Sequence, residues 1–469
     1  MITTPEARVA LGKAAREHTP PASHGHFELA SDRPDPVALL ESQSASWEQS
    51  LVPIRYGRML VSPFAFYRGA ALIMAADLSN TADSGLRVQA CGDAHLSNFG
   101  VFASPQRRLV FDINDFDETA PGPWEWDVKR LVTSLEIAGR ANGHHPEQRR
   151  EVLRAATKHY RTAMTAFAQM TNLDVWYASY DFEAKFAQFS MKRPKKSVKE
   201  TKKAIAKAHT RDSMQGLEKF TEVVDGQRRI VHHPPLIVRL PELVASRTDV
   251  TSEQAEQEVR DVIEGCRGTL EPDRRLLLEQ YEYVDTALKV VGVGGVGTRA
   301  WLVLMLGRDG SDPLFLQVKQ ATESVLERFV GSAGFSNAGQ RVVAGQRLMQ
   351  STSDSFLGWH SLTSAEDGKT RDYYVRQLRD WKGSADVDDI DPGRLYTYGQ
   401  MCAWTLAKAH ARSGDRIAIA AYLGRGRKGR KFDKAIARFA AAYADQNERD
   451  YAALKQAAAS GRIEVESGL

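Results

Sequence analysis

The sequence predicts an α+β protein of more than one lobe: a helical and β region first, a β-rich region second, and closing helices last. Three observations predict it. Apolar residues recur at three- and four-residue spacing over 126–142, and again in YGQMCAWTLAKAHARSG and FDKAIARFAAAYADQNERDYAALKQAAA, the pattern of amphipathic helices. Between these helical blocks, ALKVVGVGGVGTRAWLVLMLG and DPLFLQVKQA read as two or three strands around a glycine-rich turn. With 469 residues the chain outgrows one small core, so two or three cooperating lobes are expected.

The remaining elements follow in order. Residues 1–50 are rich in Pro, Ser, His and charge with weak periodicity, and read as an arm that packs late or frays. An apolar run with helical spacing follows Pro63. RVQACGD (87–93) reads as a short buried strand, with further strands near 100–103 and 108–113. The stretch 146–224 is mostly helical in propensity, and HHPPLIVRLPEL (232–243) is proline-punctuated and extended. DYYVRQLRDW (372–381) is a strand, and helix resumes after Pro392. The boundaries this suggests are an arm at 1–50, a catalytic-lobe-like region at 51–285, a β-rich region at 286–390 and a helical region at 391–469. No internal repeat interrupts them.

Composition narrows the function classes. Apolar residues make up 42% and charged residues 26%, ordinary for a soluble globular chain. The net charge of +4 is small for this length and argues against a dedicated nucleic-acid binder. Cys91, Cys266 and Cys402 form no CxxC pair, so neither a disulfide framework nor a cysteine zinc site is expected. The N-terminal stretch has no apolar core of signal-peptide length, and no run approaches a membrane span. The expected location is the cytoplasm. KRPKKSVKETKKAIAK (192–207) reads either as a solvated helix or as an electropositive rim that attracts a phosphate-bearing ligand.

CGDAHLSNFG (91–100) leaves a strand for a loop and presents Asp93, His95 and Asn98. A carboxylate and an amide at this spacing can turn toward one point. Phosphoryl transfer uses such a pair, the Asp to orient and deprotonate an acceptor hydroxyl and the Asn to coordinate Mg²⁺. The same residues also suit a polar turn that caps its own backbone. Next, RRLVFDINDFDETAPGPWEWDVKRL places Asp112, Asp115, Asp117 and Glu118 within seven residues. Carboxylates this close repel one another unless a cation is shared or some face solvent, which suits a Mg²⁺ site.

These two segments resemble the catalytic loop and the metal-binding segment of the aminoglycoside phosphotransferase and choline kinase branch of protein-kinase-like folds. By that resemblance Asp93 is the catalytic aspartate, Asn98 and Asp115 are metal ligands, and Asp127 is a structural helix-start aspartate. Asp115 stands farther from Asn98 than is usual in that branch, which keeps Asp112 as an alternative ligand. His95 contacts phosphate or acceptor, or else supports the loop backbone, and His410 reads as structural. Arg55, Arg58 and Arg68 suit either phosphate recognition or pairing with the acidic turn.

Gly292, Gly294 and Gly297 form G-x-G-x-x-G, followed by strands and not by the helix that a dinucleotide fold requires. In a kinase such a hairpin covers phosphates, and a lysine on the third strand, here Lys319, reaches them. Glu323, Glu327 or Gln346 is expected to hold that lysine, and the strand containing Gln377 to supply backbone groups for adenine. These parts follow the catalytic loop where ordinary kinases place them before it, so the resemblance implies a circularly permuted kinase-like fold.

The chain also resembles a bacterial family, the domain of unknown function numbered 2252. PIRYGRM, SPFAFYRGAA, CGDAHLSNFG, NDFDET, WEWDVKRL, GQRLMQSTSDSFLGW, YYVRQLRDWKGS, LAKAHARSGD and FAAAYADQNERDY carry the resemblance. The expected activity is ATP- and Mg²⁺-dependent transfer to a small-molecule or protein hydroxyl. The alternatives are nucleotidyl transfer on the same fold, or nucleotide binding without catalysis. The expected partners are a nucleotide and a hydroxyl-bearing acceptor, with neither membrane nor nucleic acid.

Overall fold

A computed structural model describes residues 4–190, 195–245, 251–290, 292–378 and 380–468. The strands are β1 (Arg87–Ala90), β2 (Phe99–Ala103), β3 (Leu109–Ile113), β4 (Ala120–Pro123), β5 (Thr221–Val224) and β6 (Gln227–Ile230), followed by β7 (Ile237–Arg239), β8 (Glu282–Lys289), β9 (Ala300–Leu306), β10 (Pro313–Ala321), β11 (Gly358–Thr363) and β12 (Thr370–Gln377). The last six form one sheet in the order β11-β12-β10-β9-β8-β7, with every neighbouring pair antiparallel. Val, Leu and aromatic residues dominate β9 and β10, the composition that suits a pleated, largely buried surface. The glycine-rich segment joins β8 to β9, where Leu288 pairs with Trp301.

The other strands form two-stranded ladders, β1 with β4, β2 with β3, and β5 with β6. The first two frame the loop at 91–98. They lean on a helical body made by Trp124–Ala141, Pro146–Phe167, Pro392–Ser413 and Gly426–Ala459. Leu131, Leu135, Leu406 and Phe439, one or more from three of these helices, are all buried in one core. Each such side chain contributes on the order of 1.5–3 kcal/mol when removed from water. The protein is thus α+β with a two-lobe layout, one lobe helical and one built on the six-stranded sheet.

One aspartate aligns the helical lobe with the loop that follows β1. Asp127 lies in the first turn of the helix Trp124–Ala141, where the helix dipole favours a carboxylate. It accepts hydrogen bonds from the backbone N–H of Cys91 (2.6 Å) and Gly92 (2.9 Å), and lies 3.0 Å from His410 Nε2. Gly92 is obligatory there for two reasons. Its φ of +80° disfavours any side chain, and a Cβ would collide with the carbonyl of Glu118. The turn out of β1 and the acidic turn are therefore in direct backbone contact. His410 is buried, with Tyr160 Oη 2.8 Å from its other ring nitrogen, which is a structural placement.

Several expectations are corrected. The N-terminal segment is built into the fold: it forms helices Pro5–His18 and Pro36–Ser44, each with a side-chain cap (Thr4, Asp35) and proline in its first turn. Weak periodicity concealed them because Val37 and Leu40 are buried while much of the rest is exposed. The boundary at 286 falls inside β8, and β7 extends the sheet back to Ile237. Of 232–243 only β7 is strand, and the helix Leu240–Ala245 starts at Leu240. Residues 192–194 of the basic run lie outside the described residues, and Lys195–His209 is helical. All three cysteines are free and buried, and no described helix is long and apolar enough to cross a membrane.

The integration of the N-terminal segment is testable at Arg33. Its guanidinium bridges Asp77 (2.6 Å) and Asp450 (2.6 Å), both nearly buried. Arg33→Ala strands two buried carboxylates and is expected to lower unfolding free energy by about 3 kcal/mol or more. Urea denaturation measures this, and a loss below about 1 kcal/mol would mean the segment is not part of the cooperative core.

Candidate active site

Between the lobes lies a cleft of about 850 Å³. Asp93, His95, Asn98, Asp115, Asp117 and Glu118 line it from the helical lobe, and Gly292, Val293, Gly294, Gly295, Gln317, Lys319 and Arg376 line it from the sheet lobe. The two halves of the sequence-predicted site therefore share one cleft.

A buried cation holds Asp93 in the loop after β1. Arg130, on the helix Trp124–Ala141, donates from Nε to Asp93 Oδ1 at 2.6 Å and from Nη2 to the Tyr67 carbonyl at 2.8 Å. One carboxylate oxygen is thus anchored, and the other lies 3.5 Å from His95 Nε2. His95 accepts from Ser97 N through Nδ1, and burial lowers its pKa to about 4, so it is a neutral imidazole near pH 7. Asn98 donates from Nδ2 to the Asp93 carbonyl at 2.7 Å, which leaves its amide oxygen as an acceptor.

The acidic turn is pinned to that loop and to the sheet. Asn114 N donates to the Asn98 carbonyl (2.8 Å), and Arg376 Nη1 donates to the Asn114 carbonyl (3.0 Å). Burial alone would raise Asp115, but Lys319 and Arg376 outweigh it and hold its pKa down at about 2. Asp117 takes the ammonium of Lys319 directly and accepts from Tyr374 Oη at 2.7 Å. Burial would lower Lys319, yet Asp117, Tyr374 and Asp115 prevail and keep it protonated above the usual lysine range. Burial raises Glu118 to about 7, against a hydrogen bond from Val325 N.

The glycine segment rests on this ion pair. A Cβ on Gly295 would lie 3.4 Å from Lys319 Nζ, so the backbone there runs over the lysine. Gly297, at φ +115°, has no room for a Cβ because Trp47 packs against it. Glu48 N donates to the Gly297 carbonyl at 2.8 Å and Arg58 to the Gly292 carbonyl at 2.6 Å. The N-terminal segment therefore tethers the glycine turn at both ends. Arg55 is buried and spends its hydrogen bonds on Ser44, Gln43 and the Gly69 carbonyl, with none to the acidic turn.

Five sequence-predicted residues fall elsewhere. Asp112 is fully buried, paired with Lys408 at 2.6 Å and accepting from Ser351 N, and it does not line the cleft. Gln377 lines a separate hollow, and its N–H donates to Asp354 at 2.6 Å. Side chains alternate along β12, so its neighbours Arg376 and Leu378 face the cleft while Gln377 faces away. Glu323 is exposed outside the cleft, Glu327 engages Ser324 N, and Gln346 bonds Gln350, so the partner of Lys319 is Asp117. Gly295, Arg130, Arg376, Lys382, Trp47 and the cations Arg211, Lys219 and Lys289 went unassigned. Only the extra glycine in GVGGVG was visible as a signal.

The cleft residues can be tested for a bound Mg²⁺ and nucleotide. Among the described residues no three His, Cys, Asp or Glu side chains gather into a metal cage. Mg²⁺ in phosphoryl-transfer sites needs none, because one or two protein oxygens suffice beside phosphate and water. The Asn98 amide oxygen and the Asp115 carboxylate would hold such an ion, and Lys319, Arg376 and the glycine backbone, which line the same cleft, would face the phosphates.

Fold and cleft together define an α+β protein with a polar, charge-paired cleft between a sheet lobe and a helical lobe. Residues 48–457 match the family model described as "Uncharacterized protein conserved in bacteria (DUF2252)", and the chain belongs to that family. No curated protein and no solved structure matches it.

Two measurements check this assignment of roles. Asp112→Ala leaves the buried Lys408 ammonium without its partner and is expected to cost about 3–5 kcal/mol in urea unfolding. Asp115→Asn, at the cleft wall, is expected to cost at least about 2 kcal/mol less, and the opposite ranking would exchange their roles. Second, the Glu118 carboxyl is raised in the folded state, so the folded protein binds more protons than the unfolded chain between about 4.5 and 7. Its share of stability is full below that window and falls as pH rises through it. Glu118→Gln should flatten the fall in melting temperature from pH 5 to 8, and parallel profiles for the two proteins would contradict this.

Proposed function

We propose that the protein is an ATP- and Mg²⁺-dependent phosphotransferase acting on a hydroxyl-bearing acceptor, built on a protein-kinase-like fold in permuted lobe order. In this reading β1–β4 and the helix Trp124–Ala141 are the catalytic-lobe core. The six-stranded sheet is the nucleotide lobe, and the C-terminal helices close the catalytic lobe. One observation carries the proposal. Lys319 and Asp117, 202 residues apart in sequence, pair directly, and the glycine turn lies over that pair beside Asp93, Asn98 and Asp115. Neither half alone has both metal ligands and phosphate donors.

The roles follow from the chemistry. Asp93 has one oxygen fixed by Arg130, and the other would orient the acceptor hydroxyl and take its proton. His95, neutral and buried, would shape the loop without carrying charge. Lys319, Arg376 and the backbone of 292–297 would meet phosphate oxygens. Asn98 and Asp115 would hold Mg²⁺, which when bound neutralises charge on the transferring group.

Asp93→Asn keeps the acceptor oxygen for Arg130 but removes the base. It should lower transfer by about 10²–10⁴-fold while the nucleotide Kd stays within about threefold. Product analysis by mass, with Mg²⁺ and ATP, decides the reaction. ADP supports phosphoryl transfer and pyrophosphate would redirect the proposal to nucleotidyl transfer. Absence of any turnover across acceptors would leave nucleotide binding alone. Full activity in Asp93→Asn would defeat the role of Asp93.

A further inference from the structure

The cleft carries more positive charge than a nucleotide site explains. Lys319 and Arg376 sit on the sheet beside the acidic turn, but Lys207, Arg211 and Lys219 reach the same cleft from a different wall. That wall is the helix pair Lys195–His209 and Ser213–Phe220 with the turn between them, which carries Arg211, inserted between the two lobes in sequence. None of the three forms an ion pair among the described residues, and Glu218 is the one acid that this wall adds to the cleft.

These cations are mounted on a packed support. His209 meets Trp381 edge-on with ring centroids 4.1 Å apart, and Trp381 N donates to the Arg211 carbonyl at 2.8 Å. At the other end Phe220 packs on Phe315 of β10 at 6.0 Å, with Leu217 buried beside it. Arg211 in turn donates to the Lys382 carbonyl at 3.1 Å. Like charges gathered on a fixed wall repel one another, and an anion in the cleft relieves that repulsion.

A second observation comes from the helix Pro63–Gly69. Arg68 lines the cleft near Asp93 and Asp115, yet its Nε is buried with no hydrogen-bond acceptor. A buried guanidinium N–H left unmatched is costly, so the protein alone does not complete the hydrogen bonding of this cleft-lining cation. The cleft, at about 850 Å³, is toward the upper end of the range for ligand pockets and has room beyond a nucleotide's phosphates.

We propose that the helix pair Lys195–His209 and Ser213–Phe220 is the acceptor wall, and that the acceptor is a small hydroxyl compound bearing a phosphate or carboxylate, gripped by Lys207, Arg211, Lys219 and Arg68. This rests on the phosphotransferase reading for the word acceptor, while the anion site itself does not. The charges of this wall disfavour a polycationic acceptor.

The test titrates inorganic phosphate and malonate by calorimetry into the full chain, with and without Mg²⁺ and a non-hydrolysable ATP analogue. At least one anion is expected to bind the nucleotide-loaded protein at a single site, and the better binder identifies the group. Lys207→Glu/Arg211→Glu should weaken that anion at least tenfold and change the nucleotide Kd less than twofold. Lys207 is exposed, and Lys219→Glu, also at an exposed position, serves as an independent variant if the double change perturbs folding. The inference is overturned if neither anion binds the loaded protein, or if the variants weaken nucleotide as much as anion. If the analogue does not bind at all, the phosphotransferase reading falls. Anion binding to the unloaded chain that the variants abolish would then still support the basic wall, and its absence would remove both.

Discussion

An ammonium group in the wall of a cleft, screened from bulk water, stays charged only beside a counter-charge. Lys319 meets that requirement with Asp117, and Tyr374 adds a hydrogen bond to the same carboxylate. The pair joins the sheet lobe to the acidic turn, so it fixes where the two lobes meet. Much of the cleft follows from it. The glycine turn lies over the pair, Asp115 is held ionised by Lys319 and Arg376, and Arg376 ties the turn through the Asn114 carbonyl. Charge attracts charge here across a low-dielectric boundary, where each interaction is stronger than in water.

Around that contact the protein uses buried arginines as brackets. Arg341, on the helix Ala338–Met349, donates to the carbonyls of Asp117 and Thr322 at 2.8 Å each, binding the turn to the end of β10. Arg130 fixes Asp93, and Asp127 fixes the backbone two residues before it. A planar guanidinium with five donors suits this work, because one side chain can satisfy several carbonyls at set angles. The result is a group of carboxylates whose positions are set by Arg130 and Arg341 behind the cleft and by Lys319 in its wall, leaving selected oxygens facing it. Preorganisation of this kind is what electrostatic catalysis needs.

The acidic motif was legible because its chemistry is local. Asp93 and Asn98 share one loop and Asp115 follows across the β2–β3 hairpin, so the resemblance of these two segments to kinase loops named them together. Asp112 and Asp115 could not be separated in that way. Strand β3 ends at Ile113, and Asp112 points into the body toward Lys408, nearly three hundred residues later in sequence. Gln377 failed for a related reason. Its backbone N–H, expected for adenine, is taken by Asp354, a partner that the strand pattern does not show. The counter-ion of Lys319 was invisible, since no helix glutamate supplies it and its true partner belongs to another lobe.

By itself the sequence determined the α+β class, the positions of the long amphipathic helices, the strands flanking the glycine turn, and the local grouping of carboxylates. These depend on periodicity, turn chemistry and neighbours a few residues apart. Tertiary structure alone decided that the N-terminal segment clamps the glycine turn through Trp47 and Arg58, that Asp117 rather than a helix glutamate meets Lys319, and that a basic helix pair forms a wall of the cleft. Each of these is a contact between residues far apart in the chain. Pattern reads only what neighbours impose, whereas burial of charge and close packing select partners from the whole molecule.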